Sequence, residues 1–151
     1  MRILVSACLL GLCCRYDGQS KRSDRVLALA EKHELIPVCP EQLGGLPTPR
    51  PPAEIKLGRV VNNVGQDVTA QYEKGAAEAL RLYDLLHCDC ALLKARSPSC
   101  GAEQVYDGTF SGTLIPGQGI AAKLLSQQHV TVLSEDSFGG FFSPQTPKPG
   151  R

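Results

Sequence analysis

Seven cysteines carry most of the chemistry this 151-residue chain can offer: Cys8, Cys13, Cys14, Cys39, Cys88, Cys90 and Cys100. The number is odd and Met1–Leu12 has no A-x-A cleavage pattern, so a disulfide framework is not expected. No C-x-x-C spacing occurs, which removes zinc ribbons, fingers and the local runs of ferredoxin clusters. Any metal chemistry must therefore come from cysteines that are distant in sequence and brought together by the fold. Thiolates of that kind suit a soft metal or an iron–sulfur cluster.

The elements that would do this can be read from the apolar pattern. Arg2–Ser6 reads as a buried strand, and Ser23 or Asp24 can cap a helix running to about Lys32. Leu35–Val38 is a second strand. Thr69 reads as the N-cap of a helix to about His87, with Tyr72, Ala76, Ala79, Leu80, Tyr83 and Leu86 on its apolar stripe. Ala91–Leu93 is a third strand, Gln118–Gln127 a third helix and Val130–Leu133 a fourth strand. Stretch 39–52 holds five Pro and two Gly in fourteen residues and is expected to be irregular. Ile55–Val64 reads as a small hairpin or an irregular segment, and 94–117 as loop-rich.

Strands alternating with helices predict an α/β fold: a Rossmann-like three-layer arrangement, with a short, mostly parallel sheet of about four strands and helices on both faces. One domain over 1–135 is expected, followed by a Gly/Pro-rich tail over 136–151, with Phe141 and Phe142 pinning part of it. In an open parallel sheet the ligand site lies beyond the carboxyl ends of the strands. Cys8 follows the first strand, Cys39 the second, and Cys100 lies in the loop after the third, so all three are expected on one rim. His33, His87 and His129 each precede a strand and fall on the opposite rim. That excludes Cys–His nucleophile pairs and Cys/His zinc sites from the leading readings.

Three alternatives remain at this point. The three thiolates can hold a four-iron cluster with one open iron, they can bind zinc, or the cysteines are small buried apolar groups. Cys88 and Cys90 are expected to pack in the core, and Cys13 and Cys14 to lie in the first rim loop. Glu41, two residues past Cys39, is placed for acid–base work. Ser97, Ser99, Arg15, Asp17, Lys21, Arg50 and Lys94 share the rim and are candidates for binding a polar substrate. Gly117-Gln118-Gly119 opens the third helix, where an anion or close packing are both possible readings.

Composition excludes other classes. Sixteen basic against fifteen acidic residues give a formal charge of +1, and no basic patch for a nucleic-acid polymer or a membrane surface is evident. Trp is absent and aromatics make up 5%, a poor platform for single-stranded nucleic acid. The first twelve residues are too short an apolar run to span a bilayer, and a cytoplasmic protein is expected.

Three motifs in order carry a resemblance. These are Ala7–Gly11 (ACLLG) with Arg15–Gly18 (RYDG); Val38–Glu41 (VCPE) with Gly45–Arg50 (GLPTPR); and Leu93–Gly101 (LKARSPSCG) with Val105–Phe110 (VYDGTF). Over nearly the whole chain, to about Leu133, the sequence resembles the thiouracil desulfurase (TudS-like) family. The resemblance implies a four-iron four-sulfur cluster on Cys8, Cys39 and Cys100, the three cysteines that topology also selects. It implies catalytic roles for Glu41 and Ser97, neither needed to retain iron. It further implies a small-molecule substrate, a thiolated pyrimidine base or nucleotide. The implied reaction is non-redox: the thiocarbonyl sulfur binds the open iron, water adds to the ring carbon, and uracil and sulfide result. Cys13-Cys14 before Arg15 departs from the expected pattern. A cluster-dependent sulfur transferase is the alternative enzyme, and a non-catalytic metal- or nucleotide-binding module the alternative outside enzymes. Nothing in the sequence fixes an oligomeric state.

Overall fold

A computed structural model of the chain describes residues 1–143. Four parallel strands form the central sheet: β1 (Arg2–Ser6), β2 (Glu34–Val38), β5 (Cys90–Leu93) and β8 (Val132–Ser134), in the order β2-β1-β5-β8. Arg2 pairs with Glu34 and Ser6 with Val38, while Val5 pairs with Leu92. The strand ends are therefore level, and the loops after β1, β2 and β5 leave the sheet at the same height. The fold is the mixed α/β arrangement that the alternating elements predict.

Alternation along the strands feeds two separate cores, as a strand buried on both faces must. Ile3, Val5, Cys90 and Leu92 face one layer with Cys8, Cys14, Val26 and Phe138. Leu4, Ala91 and Leu93 face the other with Val38, Ala79, Cys100, Ala122 and Leu125. The first layer is covered by α1 (Asp24–Leu27), which continues as a 3₁₀ turn over Ala28–Glu31; the Ser23 hydroxyl caps it by accepting from the Val26 N–H at 3.3 Å. The second is covered by α3 (Thr69–Leu85) and α4 (Ile120–Gln127).

The departures from the sequence reading are local and have physical causes. Thr69 is the first helical residue, not the cap, and Val68 holds the N-cap position. The Thr69 hydroxyl instead accepts from the Val60 N–H at 2.8 Å, tying α3 to the hairpin β3 (Ala53–Lys56) and β4 (Arg59–Asn62). Stretch 39–52 is not wholly irregular: Pro40–Leu43 forms a helical turn, α2, because Pro at the first helical position is already set for a helix. Within 94–117 lies a second hairpin, β6 (Gln104–Tyr106) and β7 (Leu114–Pro116), with strands too short to show a period in the sequence. The Gly119 N–H donates to the Gly101 carbonyl at 2.7 Å, so the turn before α4 serves packing. Phe138 is buried in the first core, with Phe141 and Phe142 against it; the remainder of the expected tail, residues 144–151, lies outside the described residues.

One contact fixes α2, and with it Glu41. Gly44 and Gly75 let α2 and α3 cross with backbones touching: a Cβ at Gly75 would lie 1.9 Å from the Pro40 carbonyl oxygen, and one at Gly44 1.9 Å from that of Gln71. In a free helix Gly→Ala stabilises by about 0.5–1 kcal/mol. Here overpacking wins. Gly75→Ala is expected to lower stability by about 2 kcal/mol in urea unfolding, and a stabilised protein would contradict the crossing.

Candidate functional site

The level strand ends open onto a cavity of about 550 Å³. Its walls include Cys8, Cys14, Cys39 and Cys100, together with Glu41, Arg50, Tyr72 and Ser97. Cys8 lies in the 3₁₀ turn Ala7–Leu10 directly after β1, and Cys39 is the cap between β2 and α2. Cys100 comes from the loop after β5. The three cysteines singled out in the sequence thus line one cavity. His33 and His87 line a shallow groove at the other end of the sheet. Cys13 is exposed, Cys88 is half-buried, and Cys90 is buried within β5.

Cys14 is the thiol that sequence reasoning underrated. It is buried, and its sulfur bears on both Cys39 and Cys8. The contact with Cys39 pulls its pKa down, but hydrogen bonding to Cys8 and burial prevail and leave it at about 11. Cys39 is raised further, by the Cys14 contact first and burial second. Its thiol also points to the Cys14 carbonyl at 3.7 Å. Burial pushes Cys100 up to about 12, offset in part by a hydrogen bond from Ser6. Without a cation, these groups are neutral thiols at pH 7. A bound metal would displace their protons, since a coordinating thiol is deprotonated outright.

The surroundings of Cys100 suit a thiolate. The Ser6 hydroxyl accepts from the Lys94 N–H at 2.8 Å, which leaves its own proton for the sulfur. Ser99 is 1% exposed, its hydroxyl has no hydrogen-bond partner, and its nearness holds the Cys100 pKa down slightly against burial. Hydrogen-bond donors aimed at a sulfur are what an iron–sulfur ligand uses. Among the described residues, no three His, Cys, Asp or Glu side chains close on a point as a single ion requires. One tetrahedral ion draws thiolates to within about 4 Å of each other, whereas a polynuclear core holds each sulfur on its own iron. An all-thiol set is a donor set that an iron–sulfur core takes.

Glu41, on α2, is held by two hydrogen bonds to one carboxylate oxygen. Its Oε1 accepts from Arg50 Nε at 3.0 Å and from the Tyr72 hydroxyl at 2.8 Å. Oε2 is left for other chemistry. Burial alone would lower the Arg50 pKa, but the Glu41 carboxylate overrides it and keeps the guanidinium charged. Burial and the same carboxylate drive Tyr72 well above the ordinary phenol range, so its proton stays on and donates. Arg50 also donates to the Pro47 carbonyl at 3.1 Å, the Thr48 hydroxyl at 3.0 Å and the Cys14 carbonyl at 2.9 Å. One guanidinium thus ties the Cys14 loop to the Glu41 carboxylate.

The remaining candidates divide. Ser97 lines the cavity, and its Oγ accepts from the Ser99 and Cys100 N–H groups at 3.1 and 3.0 Å. Removing the Ser97 hydroxyl would free two amides beside Cys100, so Ser97 supports the Cys100 loop as well as facing the cavity. Lys94 lines the cavity but pairs with Glu135 at 2.8 Å, and Glu135 also accepts from the Ala95 N–H at 2.6 Å. Arg15 and Lys21 line it too, with Arg15 3.7 Å from Asp17. Asp17 and Ser99 are not among the lining residues: Asp17 accepts from the Gln19 N–H outside it, and Ser99 lies behind Cys100. Arg50, a substrate-binding candidate, lines the cavity but gives four of its five N–H groups to the protein. Tyr72 was legible only as part of a helical stripe, although a buried Tyr needs a partner for its hydroxyl.

Three comparisons bear on this arrangement. The model of the family described as 2-thiouracil desulfurase matches residues 3–137. The uncharacterized protein YbbK of Bacillus subtilis (strain 168) is 42% identical over 144 residues, covering 89% of this chain and 95% of its own length. The solved structure of the 4Fe-4S-dependent thiouracil desulfidase TudS (DUF523Vcz) superposes with a TM-score of 0.85 at 47% identity, covering 89% of this chain and 91% of that one.

The Arg50–Glu41 pair is almost closed to solvent, with side chains 4% and 14% exposed. Removing one partner of such a pair strands the other charge. Arg50→Met is therefore expected to cost about 3 kcal/mol in urea unfolding of the metal-free protein, and Tyr72→Phe about 1 kcal/mol. Equal, small losses for both would show that the pair is not the anchor of α2.

Proposed function

This chain belongs to the 2-thiouracil desulfurase family, and we propose that it removes sulfur from thiolated pyrimidines by hydrolysis, thiouracil and water giving uracil and hydrogen sulfide. Carbon keeps its oxidation state, so no electron donor is needed. We assign the cluster to Cys8, Cys39 and Cys100, with Cys14 beside them but not a ligand. When bound, the cluster supplies a soft Lewis-acid iron without a protein ligand, suited to a thiocarbonyl sulfur.

The carrying observation is the Glu41 carboxylate on the same cavity as the thiols, one oxygen tied twice and the other uncommitted. The Arg50 guanidinium lies against that carboxylate, and Oε2 is assigned to take a proton from the attacking water. The Tyr72 hydroxyl and Arg50 fix its direction, so little reorientation is needed at the moment of reaction. Ser97 keeps its own O–H proton, because its oxygen acts as acceptor for two amides, and this proton is assigned to a ring heteroatom of the base. Lys21 at the cavity edge offers a cation to a polar substituent; Arg15 and Lys94 are partly spent on Asp17 and Glu135.

The substrate is assigned as a small molecule, with no nucleic-acid polymer or membrane involved. Among the described residues, no helix is long and apolar enough to cross a membrane. All seven cysteines are unpaired, which supports a reducing compartment such as the cytoplasm. Residues 1–135 are proposed to act as one unit.

The test is anaerobic cluster reconstitution followed by sulfide release from 2-thiouracil. Cys8→Ser, Cys39→Ser and Cys100→Ser are each expected to lose bound iron and activity, whereas Cys14→Ser keeps the iron. Glu41→Gln preserves an acceptor for Arg50 and Tyr72; it is expected to keep iron while sulfide release falls by about a hundredfold or more. Full iron and full rate in Cys100→Ser would overturn the ligand assignment, and an undiminished rate in Glu41→Gln the role of the carboxylate.

A further inference from the structure

The turn between β6 and β7 also lines the cavity, and the sequence motif that ends in it, Val105–Phe110, has no part in the chemistry above. Phe110 lines the cavity and is 41% exposed. The other phenylalanines on the core behave ordinarily: Phe138 is buried, with Phe141 and Phe142 packed on it. An aromatic ring left open to a cavity is unusual enough to need a cause.

The backbone beneath it is built at some cost. Phe110 has φ +57°, a left-handed conformation that bulky residues rarely adopt. Glu54 of β3 holds it there, one carboxylate oxygen accepting from the Gly108 N–H at 3.0 Å and the Phe110 N–H at 3.1 Å. Gly108 has φ +93°, and a Cβ there would lie 2.7 Å from the Ile55 carbonyl oxygen, so the turn rests directly on β3. Asp107 accepts from the Thr109 N–H and hydroxyl, and hydroxyls run on from Thr109 through Ser111 to Thr113. The turn is thus stiff, and it presents one apolar ring.

Resting on the function proposed above, we infer that Phe110 is the surface on which the pyrimidine ring of the substrate stacks, and that Glu54 is the positioning residue that holds it there. A planar heterocycle offers a π-face whatever its substituents, and an aromatic side chain binds that face without hydrogen bonds. Tyr16 also lines the cavity, but the Arg15 guanidinium lies over its ring at 5.5 Å from the centroid. Phe110 carries no such cover among the described residues. Stacking binds the ring equally before and during reaction, so it belongs in substrate affinity and not in the chemical step.

The experiment uses iron-loaded protein, with sulfide release from 2-thiouracil for kinetics and equilibrium dialysis of labelled uracil for binding. Phe110→Ala is expected to raise KM and the uracil Kd about tenfold, the size of one lost base–aromatic stack, with kcat within about threefold. Phe110→Trp, in a chain that has no other Trp, is expected to restore both. Glu54→Leu is expected to act like Phe110→Ala, while Glu54→Gln, which keeps the accepting oxygen, behaves as the unaltered protein. An active enzyme whose KM and Kd are unmoved by Phe110→Ala would overturn the stacking role and leave the desulfurase reading intact. Absence of both sulfide release and uracil binding in the unaltered protein would overturn both. A loss in Glu54→Gln equal to that in Glu54→Leu would overturn the positioning role of Glu54.

Discussion

The parallel register of β1 against β2 and β5 decides where everything else can be. Because Ser6 pairs with Val38 and Val5 with Leu92, three strands end at one level. A parallel sheet offers no short return between neighbours, so each strand must release its chain outward at that level before a helix carries it back. Cys8 and Cys39 follow within two residues of their strands, and Cys100 after a short loop. A slip of register by one residue would turn each strand's buried set to the other face and part the three loops. Ile3 and Val5 are seated in one core and Leu4 in the other, so the packing that seats β1 also places the loop that carries Cys8.

Loops placed by a sheet still need to be stiffened, and here charged side chains from remote segments do this. Arg50 reaches the Cys14 carbonyl and Glu41 together. Glu135, just past β8, accepts from the Ala95 amide and pairs with Lys94 at the start of the Cys100 loop. Glu54 grips the Phe110 turn. Each is a carboxylate or guanidinium facing backbone groups that would otherwise lack a partner at the cavity wall, where an unmade bond costs about 1–3 kcal/mol. Rigidity at the site is thus supplied by polar bonds, while the sheet beneath is held by apolar burial.

This division explains what the sequence discloses. The succession of elements, the parallel sheet and the rim that carries Cys8, Cys39 and Cys100 follow from short apolar runs and their alternation with helices, and Glu41 follows from its distance to Cys39. The polar anchors do not. Tyr72 lies on an apolar stripe that any amphipathic helix would show. Thr69 looks like a cap, yet its hydroxyl goes to Val60, a partner set by tertiary packing. Glu54 and Glu135 act on amides 54 to 56 and 40 residues away, and no local pattern encodes such reach. The helical turn at Pro40–Leu43 was hidden by the Pro and Gly around it, although Pro40 itself begins the turn.

The two apolar layers lie on either side of the sheet, and both supply walls of the cavity. Cys8 and Cys14 belong to one layer, with Cys39 packed against it, and Cys100 belongs to the other. An inorganic core gripped by sulfurs from both would therefore act as a rivet at the edge of the sheet, joining the two layers a second time. On the ligand assignment made above, the loaded protein gains cooperativity as well as a reactive centre: the layers, coupled through the rivet, would come apart together, and loss of the core would let one loosen ahead of the other.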